Sequence, residues 1–282
     1  MIWSDILEKL RITPKTINAV HGGDINEAFC ITTETQQFFL KINKTQANTD
    51  MLAKEASGLN KLRAHIQLKV PQVLQTGLVG KHQFLLLEWL DKVPPLKESY
   101  YRFGSAIAQL HREHQPYFGF EENNYIANLH QVNTLFNNWP EFYTNCRILP
   151  LIKNLADSGQ LTSKDIVQAE KFCVAVKNIF PEENPALLHG DLWSGNYIST
   201  SEQEFAIFDP AVYYGHREMD MAMTKLFGGF PIEFYQGYND VYPLEKGWPE
   251  RLRYAQLYPL LVHAILFGGH YIGNVRAILR DF

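Results

Sequence analysis

The sequence predicts an α+β protein built as two lobes with a cleft between them. Three observations support this class. The N-terminal third contains strand-like runs and a long helical segment, the remainder shows mostly helical periodicity, and Pro94 and Pro95 interrupt the chain between the two parts. A chain of 282 residues is long enough for two such lobes. We expect residues 1–90 and 91–282 to form the two lobes of one domain.

The first lobe is expected to combine a sheet with helical segments. Apolar side chains recur at helical spacing in residues 2–11 and 50–65, and Asp50 is a suitable N-cap for the second of these helices. Short apolar runs separated by polar turns predict strands at 17–21, 28–33, 37–43, 73–78 and 82–87.

The second lobe is predicted to be mainly helical. Long periodic segments cover residues 98–114 and 163–180, and each ends before a proline. Residues 115–162 show no clear periodicity. The remaining predictions are a loop at 187–196, short strands at 197–199 and 205–208, and helices over 217–281 that break at Gly228, Gly229 and Pro243.

The balance of charges argues against nucleic acid as a partner. Lys and Arg total 26 and Asp and Glu total 30, which leaves a net charge of −4, and no basic cluster appears in the sequence. Neutralising nucleic-acid phosphates needs such a cluster. The cysteines, Cys30, Cys146 and Cys173, lack the spacing of a zinc site, so we expect free thiols in a reducing compartment.

The sequence carries no pattern of a membrane or secreted protein. The N-terminus lacks the basic segment and apolar core of a signal peptide. The most apolar late stretch, Leu257 to Ile272, contains Pro259 and is too short to cross a bilayer. We therefore expect a cytoplasmic protein without a membrane partner.

The segment from His189 to Asn196 has the pattern His-x-Asp-Leu-x-x-x-Asn, which resembles the catalytic loop of protein kinases with Gly190 in place of the usual Arg. This spacing lets one loop place a carboxylate and an amide at a metal-bound phosphate. Asp191 is expected to accept a hydrogen bond from the attacking hydroxyl, and Asn196 to bind Mg²⁺ through its amide oxygen. The alternative is an ordinary turn rich in Asp and Asn.

Asp209 is the candidate for the second metal ligand. It follows Asn196 by 13 residues and ends the apolar run 205–208. An Asp at the exit of a buried strand holds magnesium in kinases, and two hard oxygen donors suit this ion. The next residues are Pro210 and Ala211, a pattern closer to kinases of small molecules than to protein kinases. An Asp that only caps the following turn is the alternative.

Lys41 and Glu55 are candidates for an ion pair in an ATP site. Lys41 lies within the apolar run of a predicted strand, and Glu55 lies 14 residues later in a predicted helix. Kinases use such a lysine at the α- and β-phosphates and such a glutamate to hold it. Taken singly, each type is more often a solvated surface residue. Their order relative to Asp191 and Asp209 favours the functional interpretation.

Two further segments are candidates for ATP binding. A turn between predicted strands, whose backbone NH groups could hold phosphates but which equally fits an ordinary hairpin turn, consists of Gly22, Gly23, Asp24, Ile25 and Asn26. The link between the lobes could offer backbone groups to the adenine edge, and its candidates are Glu88, Trp89 and Leu90.

Two motifs carry a resemblance to a known family. They are Leu-Leu-His-Gly-Asp-Leu-Trp-Ser-Gly-Asn at 187–196 and Phe-Asp-Pro-Ala-Val-Tyr-Tyr-Gly-His-Arg-Glu-Met-Asp at 208–220. The segments 22–26 and 222–230 continue the match. Over essentially the whole chain, the sequence resembles the fructosamine kinase, or ketosamine-3-kinase, family and is similar to its bacterial single-domain members.

The resemblance implies a protein-kinase-like fold, with an antiparallel sheet plus one helix in the N-terminal lobe and a mainly helical C-terminal lobe. It implies that ATP and Mg²⁺ serve to phosphorylate the 3-hydroxyl of ketoamines, either small molecules or protein-linked. Ketoamines form when a sugar reacts with an amine. The 3-phosphate eliminates and frees the amine, so the family is linked to deglycation.

The resemblance also implies roles for the candidate residues. Asp191 matches the family's proton acceptor, and Asn196 and Asp209 match its metal ligands. Lys41 and Glu55 match its phosphate-binding ion pair. The segment from Glu88 to Leu90 matches the hinge that binds adenine.

Four residues are candidates for the acceptor side of the site. Trp193 resembles the aromatic residue near the sugar, whose apolar face suits an aromatic ring, and core packing is the alternative. His216 is a candidate substrate contact, with a structural role as the alternative. Arg217 and Asp220 are expected to lock the loop after the second metal ligand through charge-assisted hydrogen bonds.

The Gly-rich turn departs from part of the family. Some members carry a cysteine there that forms a redox-sensitive dimer link, whereas this turn has Asp24 and the nearest cysteine is Cys30. We therefore expect a monomer and no redox-linked dimer.

Two other functions compete with a ketoamine kinase. A kinase of an aminoglycoside, choline or homoserine hydroxyl would share the same Asp, Asn and Asp ligands, and Trp193 together with residues 209–220 favours the ketoamine branch. A nucleotide-binding protein without catalysis is disfavoured, because each catalytic position carries a competent residue.

Overall fold

The computed structural model describes residues 2–20, 26–44, 50–201 and 204–282. In this part of the chain, a five-stranded antiparallel sheet precedes a mainly helical region, which confirms the predicted α+β class. None of the described helices is long and apolar enough to cross a membrane.

The sheet places Lys41 on its central strand. Its strands are β1 (Thr16–Ala19), β2 (Glu27–Thr32), β3 (Gln37–Lys44), β4 (Val73–Val79) and β5 (His82–Glu88). Their order is β1-β2-β3-β5-β4, and each neighbouring pair is antiparallel. Lys41 of β3 lies opposite Ala28 of β2 and Leu85 of β5. Its backbone is therefore held between two strands.

Helices cover both faces of this sheet. They are α1 (Ile2–Leu10) and α2 (Met51–His65). Because successive side chains of a strand point to opposite faces, Leu86 packs with Ile6 of α1, whereas Leu85 joins the main core with Leu59 of α2. Lys41 is the partner of Leu85 and shares its face. The predicted fold class named one helix in this lobe, but both α1 and α2 pack on the sheet.

Asp50 occupies the N-cap position of α2, as predicted, but only its backbone oxygen serves the helix, by accepting from Lys54 N at 2.9 Å. Its side chain makes no capping hydrogen bond. Its carboxylate accepts a hydrogen bond of 2.6 Å from the hydroxyl of Tyr125 instead. Tyr125 is distant in sequence, so local pattern could not reveal this competing partner.

The second region is mainly helical, as predicted. Its α-helices are α3 (Ser99–Leu110), α4 (Trp139–Phe142), α5 (Leu149–Asp157), α6 (Ser163–Ile179), α7 (Glu218–Leu226), α8 (Ile232–Val241), α9 (Trp248–Ala255), α10 (Leu257–Phe267) and α11 (His270–Leu279). A π-helix, Tyr143–Ile148, joins α4 to α5. This π-helix interrupts the regular helical period between residues 139 and 157, within the stretch 115–162 where the sequence shows no clear periodicity.

Three pairs of short antiparallel strands hold the loops between these helices. They are β6 (Asn124–Ile126) with β7 (Leu129–Gln131), β8 (Ala186–Leu188) with β11 (Tyr213–Gly215), and β9 (Tyr197–Ser199) with β10 (Phe205–Ile207). The predicted loop at 187–196 is therefore wrong at its start, where Leu187 and Leu188 pair with β11. β8 leads directly into His189, and residues 208–212 connect β10 to β11.

Candidate active site

Lys41 joins two carboxylates that come from different parts of the chain. Its Nζ lies 2.7 Å from Oε1 of Glu55 and also contacts Oδ1 of Asp209. The Lys41 side chain is 8% exposed. The predicted ion pair of Lys41 and Glu55 is therefore present. Asp209 is an additional partner that the sequence did not predict.

Burial and charge act in opposite directions on these groups. Burial alone lowers the pKa of Lys41, but Asp209 and Glu55 outweigh it and raise that pKa above its ordinary value. Burial and the nearby Asp209 raise the pKa of Glu55 to about 7 against the attraction of Lys41. The pKa of Asp209 is lowered, because Lys41 overcomes the effect of burial. Asp209 therefore stays ionised at neutral pH and is suited to a cation.

Asp191 and Asn196 are connected across their loop. Nδ2 of Asn196 donates to the backbone oxygen of Asp191 and to its Oδ2, both at 2.9 Å. These two acceptors fix the orientation of the amide and leave Oδ1 of Asn196 for another partner. The predicted base and the predicted metal ligand are thus neighbours.

The carboxyl group of Asp191 has the pKa of a group that can exchange a proton near neutral pH. Burial raises this pKa to about 7, the hydrogen bond from Asn196 opposes the rise, and the charges of Asp209 and Asp220 add to it. A group with such a pKa suits general acid–base work.

The carboxylate of Asp220, in α7, binds the backbone at the start of the Asp191 loop. Its Oδ2 accepts from the NH of His189 at 2.8 Å, and its Oδ1 accepts from the NH of Gly190 at 2.9 Å. A Cβ on Gly190 would lie 2.1 Å from the backbone oxygen of Ala211, so no larger residue fits there. Asp220 therefore locks a loop through hydrogen bonds, as predicted, but the loop is the one that carries Asp191 and not the one after the second metal ligand. The contact of Asp220 with His111, at 3.2 Å, had no sequence signal.

His189 connects the Asp191 loop to the Asp209 segment. Its Nδ1 accepts from the NH of Asp191 at 3.2 Å, so the proton is on Nε2, which lies 3.1 Å from the backbone oxygen of Phe208. The backbone oxygen of His189 accepts from the NH of Ala211 at 2.9 Å. Burial lowers the pKa of His189 and favours this neutral form.

Asp209 has a left-handed backbone conformation, with φ of 57°. Residues other than glycine adopt this conformation at a cost, and it persists where neighbouring contacts determine it. One such contact holds the residue before Asp209: the backbone NH of Phe208 donates to the backbone oxygen of Asn196 at 3.0 Å. This conformation aims the carboxylate at Lys41.

The donor set fits Mg²⁺ that is shared with phosphate. Oδ1 of Asn196 and the ionised carboxylate of Asp209 are hard oxygen ligands, and magnesium commonly keeps water and phosphate oxygens as its other ligands. Within the described residues, no group of three or more His, Cys, Asp or Glu is placed to hold a metal ion.

Trp193 lies half-buried beside the Asp191 loop. Its ring centroid is 5.6 Å from that of Phe227 in an edge-on arrangement. A Cβ on Gly195 would come within 2.3 Å of the Trp193 ring. Glycine at this position therefore lets the Trp193 ring approach the backbone of the loop closely. A sugar contact for Trp193 stays a prediction.

The ATP-binding candidates fall in three places. Gly22, Gly23, Asp24 and Ile25 lie outside the described residues. Asn26 precedes β2, and its Oδ1 accepts from Nδ2 of Asn43 at 2.5 Å. In the link after β5, the Glu88 carboxylate binds Gln72 N at 3.1 Å, and Nε1 of Trp89 donates to Asp91 at 2.9 Å. Nucleotide contacts of Trp89 and Leu90 stay predictions.

The position of His216 does not support the prediction that it contacts substrate. The residue has no exposed surface and packs between the rings of Trp139 and Phe180. Its Nδ1 accepts from Glu218 N at 3.2 Å, and its Nε2 lies 3.3 Å from the Pro181 oxygen. Both nitrogens are thus used by the backbone.

Arg217 locks a different segment from the one predicted. Its guanidinium binds Glu183, with an NH2 to Oε1 distance of 2.8 Å, and the backbone oxygens of Tyr242 and Pro243. It thereby ties the segment before β8 to the end of α8.

The buried neutral His216 predicts a loss of stability in acid. Burial lowers the pKa of His216 from its model-peptide value of 6.5 to about 4, so the unfolded state binds the proton more readily between these values. The stabilisation is complete above pH 6.5 and is lost as the pH falls to 4, on the order of 3 kcal/mol. Urea unfolding at several pH values should show a shallower acid decline in His216→Gln than in the wild type. Equal slopes would contradict this assignment.

The family model and similar curated proteins point to the same family. The model of a family described as fructosamine kinase matches residues 3–282. A probable ketoamine kinase of Enterococcus faecium is 36% identical over 98% of this chain and 98% of its own length. A probable ketoamine kinase of Vibrio parahaemolyticus is 38% identical over 98% of this chain and 92% of its own.

Solved structures agree with the sequence comparisons. A crystal structure described as a fructosamine-3-kinase from Thermobifida fusca superposes with a TM-score of 0.86 at 34% identity, over 98% of each chain. One from Haemophilus somnus gives 0.89 at 29% identity, over 99% of this chain and 95% of its own. A thermostable mutant of the aminoglycoside phosphotransferase APH(4)-Ia gives 0.65 at 14% identity, over 99% of this chain and 98% of its own. That last likeness concerns the fold, and the protein-kinase-like prediction is confirmed.

Proposed function

This chain belongs to the fructosamine kinase family, and we propose that it transfers the γ-phosphoryl group of ATP to the 3-hydroxyl of a ketoamine. Family membership makes the chain an ATP-dependent phosphotransferase, and the acceptor position is our proposal. The observation that carries it is the hydrogen-bonded pair of Asp191 and Asn196, which lies against a segment whose Asp209 meets Lys41. Phosphoryl transfer needs these parts together.

Asp191 is the proposed acceptor of the proton. Its Oδ2 is held by Asn196, so Oδ1 is the oxygen that would receive the hydrogen bond of the substrate hydroxyl. With a pKa of about 7, the carboxyl group can take the proton as the new O–P bond forms and release it to water afterwards. Orientation of the hydroxyl is the larger part of this role, because phosphoryl transfer depends mainly on positioning and electrostatics.

Lys41, Asn196 and Asp209 are proposed to receive the phosphates of ATP with their metal. Mg²⁺, when bound, neutralises charge on the phosphate oxygens. Asn196 and Asp209 would hold it, and Lys41 would pair with the α- and β-phosphates while Glu55 keeps the ammonium in place. The raised pKa of Lys41 keeps it cationic for this role.

We also propose the division of labour predicted from the sequence. Residues 1–90 would form the ATP-binding lobe, with adenine at Glu88 to Leu90, and residues 91–282 the catalytic and substrate-binding lobe. Trp193 would stack on the apolar face of the sugar, beside the hydroxyl that Asp191 orients.

A panel of acceptors tests this function. ATP consumption should depend on ribulose-lysine or fructose-lysine and should be negligible with an aminoglycoside, choline or homoserine. The expectation rests on the family motifs at 187–196 and 208–220. No turnover with either ketoamine, together with robust turnover of an aminoglycoside, would overturn the proposal.

A further inference from the structure

Two buried side-chain amides hold the backbone that follows Asp209. Nε2 of Gln131 donates to the backbone oxygen of Ala211 at 3.1 Å, and Nδ2 of Asn124 donates to that of Val212 at 2.8 Å. Gln131 is 2% exposed and Asn124 4%. Both come from the β6–β7 hairpin, whose role the sequence did not indicate.

Each polar atom of Gln131 has a defined partner. Its Oε1 accepts from the Tyr258 hydroxyl at 2.6 Å, and its Nε2 also reaches Oδ1 of Asn124 at 2.8 Å. That same Oδ1 accepts from Nδ2 of Asn133 at 2.9 Å. The orientation of the Gln131 amide is therefore determined, and its donor must face Ala211.

Arg147 binds the residues that directly follow the β6–β7 hairpin. It is fully buried, and its guanidinium donates to Oδ1 of Asn133 at 2.7 Å and to the Val132 oxygen at 2.5 Å. No carboxylate among the described residues lies within ion-pair distance of it. The face of Tyr213, at 4.1 Å, stabilises the cation instead. Burying a cation without an acidic partner costs free energy, so the Arg147 guanidinium depends on these hydrogen bonds and this ring contact for its stabilisation.

Gln131, Asn124, Asn133, Arg147 and Tyr258 form one hydrogen-bonded network. Ala211 connects this network to the residues of the candidate active site. Its NH donates to the oxygen of His189 and its own oxygen accepts from Gln131. The peptide groups after Asp209 are thereby fixed from both sides. This matters because Asp209 is held in a left-handed conformation that would relax without such contacts.

We infer that Gln131 is a positioning residue for phosphoryl transfer, which acts by clamping the Ala211 carbonyl and so keeps the Asp209 carboxylate aimed at the metal and Lys41. Asn124, Asn133, Arg147 and Tyr258 fix Gln131 in turn. The inference rests on the proposed function for the identity of the reacting groups. A purely structural role for Gln131 would affect global stability alone.

Gln131→Met removes the donor and nearly preserves volume. We expect kcat to fall at least about tenfold, with the KM for ATP changed less than about threefold, because small displacements of reacting groups cost rate more than binding. Hydrogen exchange of the amides at 208–214, measured without nucleotide or metal, should speed up about tenfold, while α6 exchanges as in the wild type.

Tyr258→Phe provides a second variant and Tyr235→Phe its control. Tyr258→Phe removes only the hydroxyl that orients Gln131, so kcat and local exchange should change in the same directions by a smaller factor. Tyr235 is equally buried and loses a hydroxyl bond of 2.9 Å to Thr224, outside the network. Its variant should keep wild-type exchange at 208–214 and wild-type kcat.

Two results would overturn the inference. One is unchanged exchange at 208–214 in Gln131→Met, and the other is a kcat within twofold of the wild type. If Gln131→Met does not fold, the same readings on Tyr258→Phe decide. A wild type that phosphorylates no ketoamine would refute the proposed function instead, and the exchange measurement would still report on the clamp.

Discussion

Asp191→Asn should lower kcat by at least about 100-fold while ATP still binds with an affinity close to that of the wild type. The substitution keeps the shape of the side chain and an oxygen for the Asn196 amide, which donates to Oδ2 at 2.9 Å. What it removes is the charge that orients the hydroxyl and takes its proton. Steady-state rates with a ketoamine, together with calorimetric titration of ATP, measure the two effects separately.

Asp165→Asn is the matched control for this experiment. Asp165 binds Arg276 at 3.1 Å and completes the capping box of α6 with Thr162, so its variant loses a structural carboxylate whose partners lie outside the Asp191 loop. It should lower stability and leave turnover unchanged. A wild-type rate in Asp191→Asn would remove Asp191 from the role proposed for it.

Lys41→Met should lower kcat/KM for ATP by at least about 100-fold, through both a higher KM and a lower kcat. Lys41 is the only cation that the structure brings to Glu55 and Asp209 among the described residues. Its loss leaves two carboxylates facing each other, and burial already raises the pKa of Glu55 to about 7. Initial rates at several ATP concentrations measure both parameters.

Lys54→Met is the control for Lys41→Met, because it removes another lysine close to Glu55 that has no proposed role in ATP binding. Lys54 precedes Glu55 and pairs with Glu122 at 2.6 Å, and both side chains are partly exposed. Such a pair contributes little, so its variant should keep wild-type kinetics. If Lys41→Met leaves the KM for ATP and kcat unaltered, the ion pair of Lys41 and Glu55 has no part in ATP use.

Much of the fold follows from periodicity. The strands and helices of the first lobe match the predicted ranges within a few residues, because alternation and helical spacing record which face of each element is buried. The same holds for α3 and α6. The predictions fail where tertiary contacts compete with local preference, as Tyr125 does for the Asp50 carboxylate and β11 does for Leu187.

The residues of the candidate site and the ion pair of Lys41 and Glu55 were predictable, but the other connections within the site were not. Motif order indicated Lys41, Glu55, Asp191 and Asn196, and the structure brings them into two hydrogen-bonded groups. No local pattern reveals the left-handed conformation of Asp209, which depends on contacts with distant segments.

His216 and Gln131 show how sequence motifs can mislead about which residues lie near the site. His216 looked like a substrate residue because it lies a few residues after the candidate metal ligand Asp209, yet it packs in the core. Gln131 lies in a segment without a motif, yet it donates to the backbone beside Asp209. Sequence proximity to a motif is therefore a weak guide to spatial proximity.

The position of the phosphate in the product tests the central claim most directly. Fructose-lysine should be incubated with ATP, Mg²⁺ and the wild-type protein, and the product followed by phosphorus NMR and mass spectrometry. We predict a ketoamine 3-phosphate that decays with release of free lysine. A stable product phosphorylated at another hydroxyl, or ATP hydrolysis without a phosphorylated ketoamine, would contradict the account.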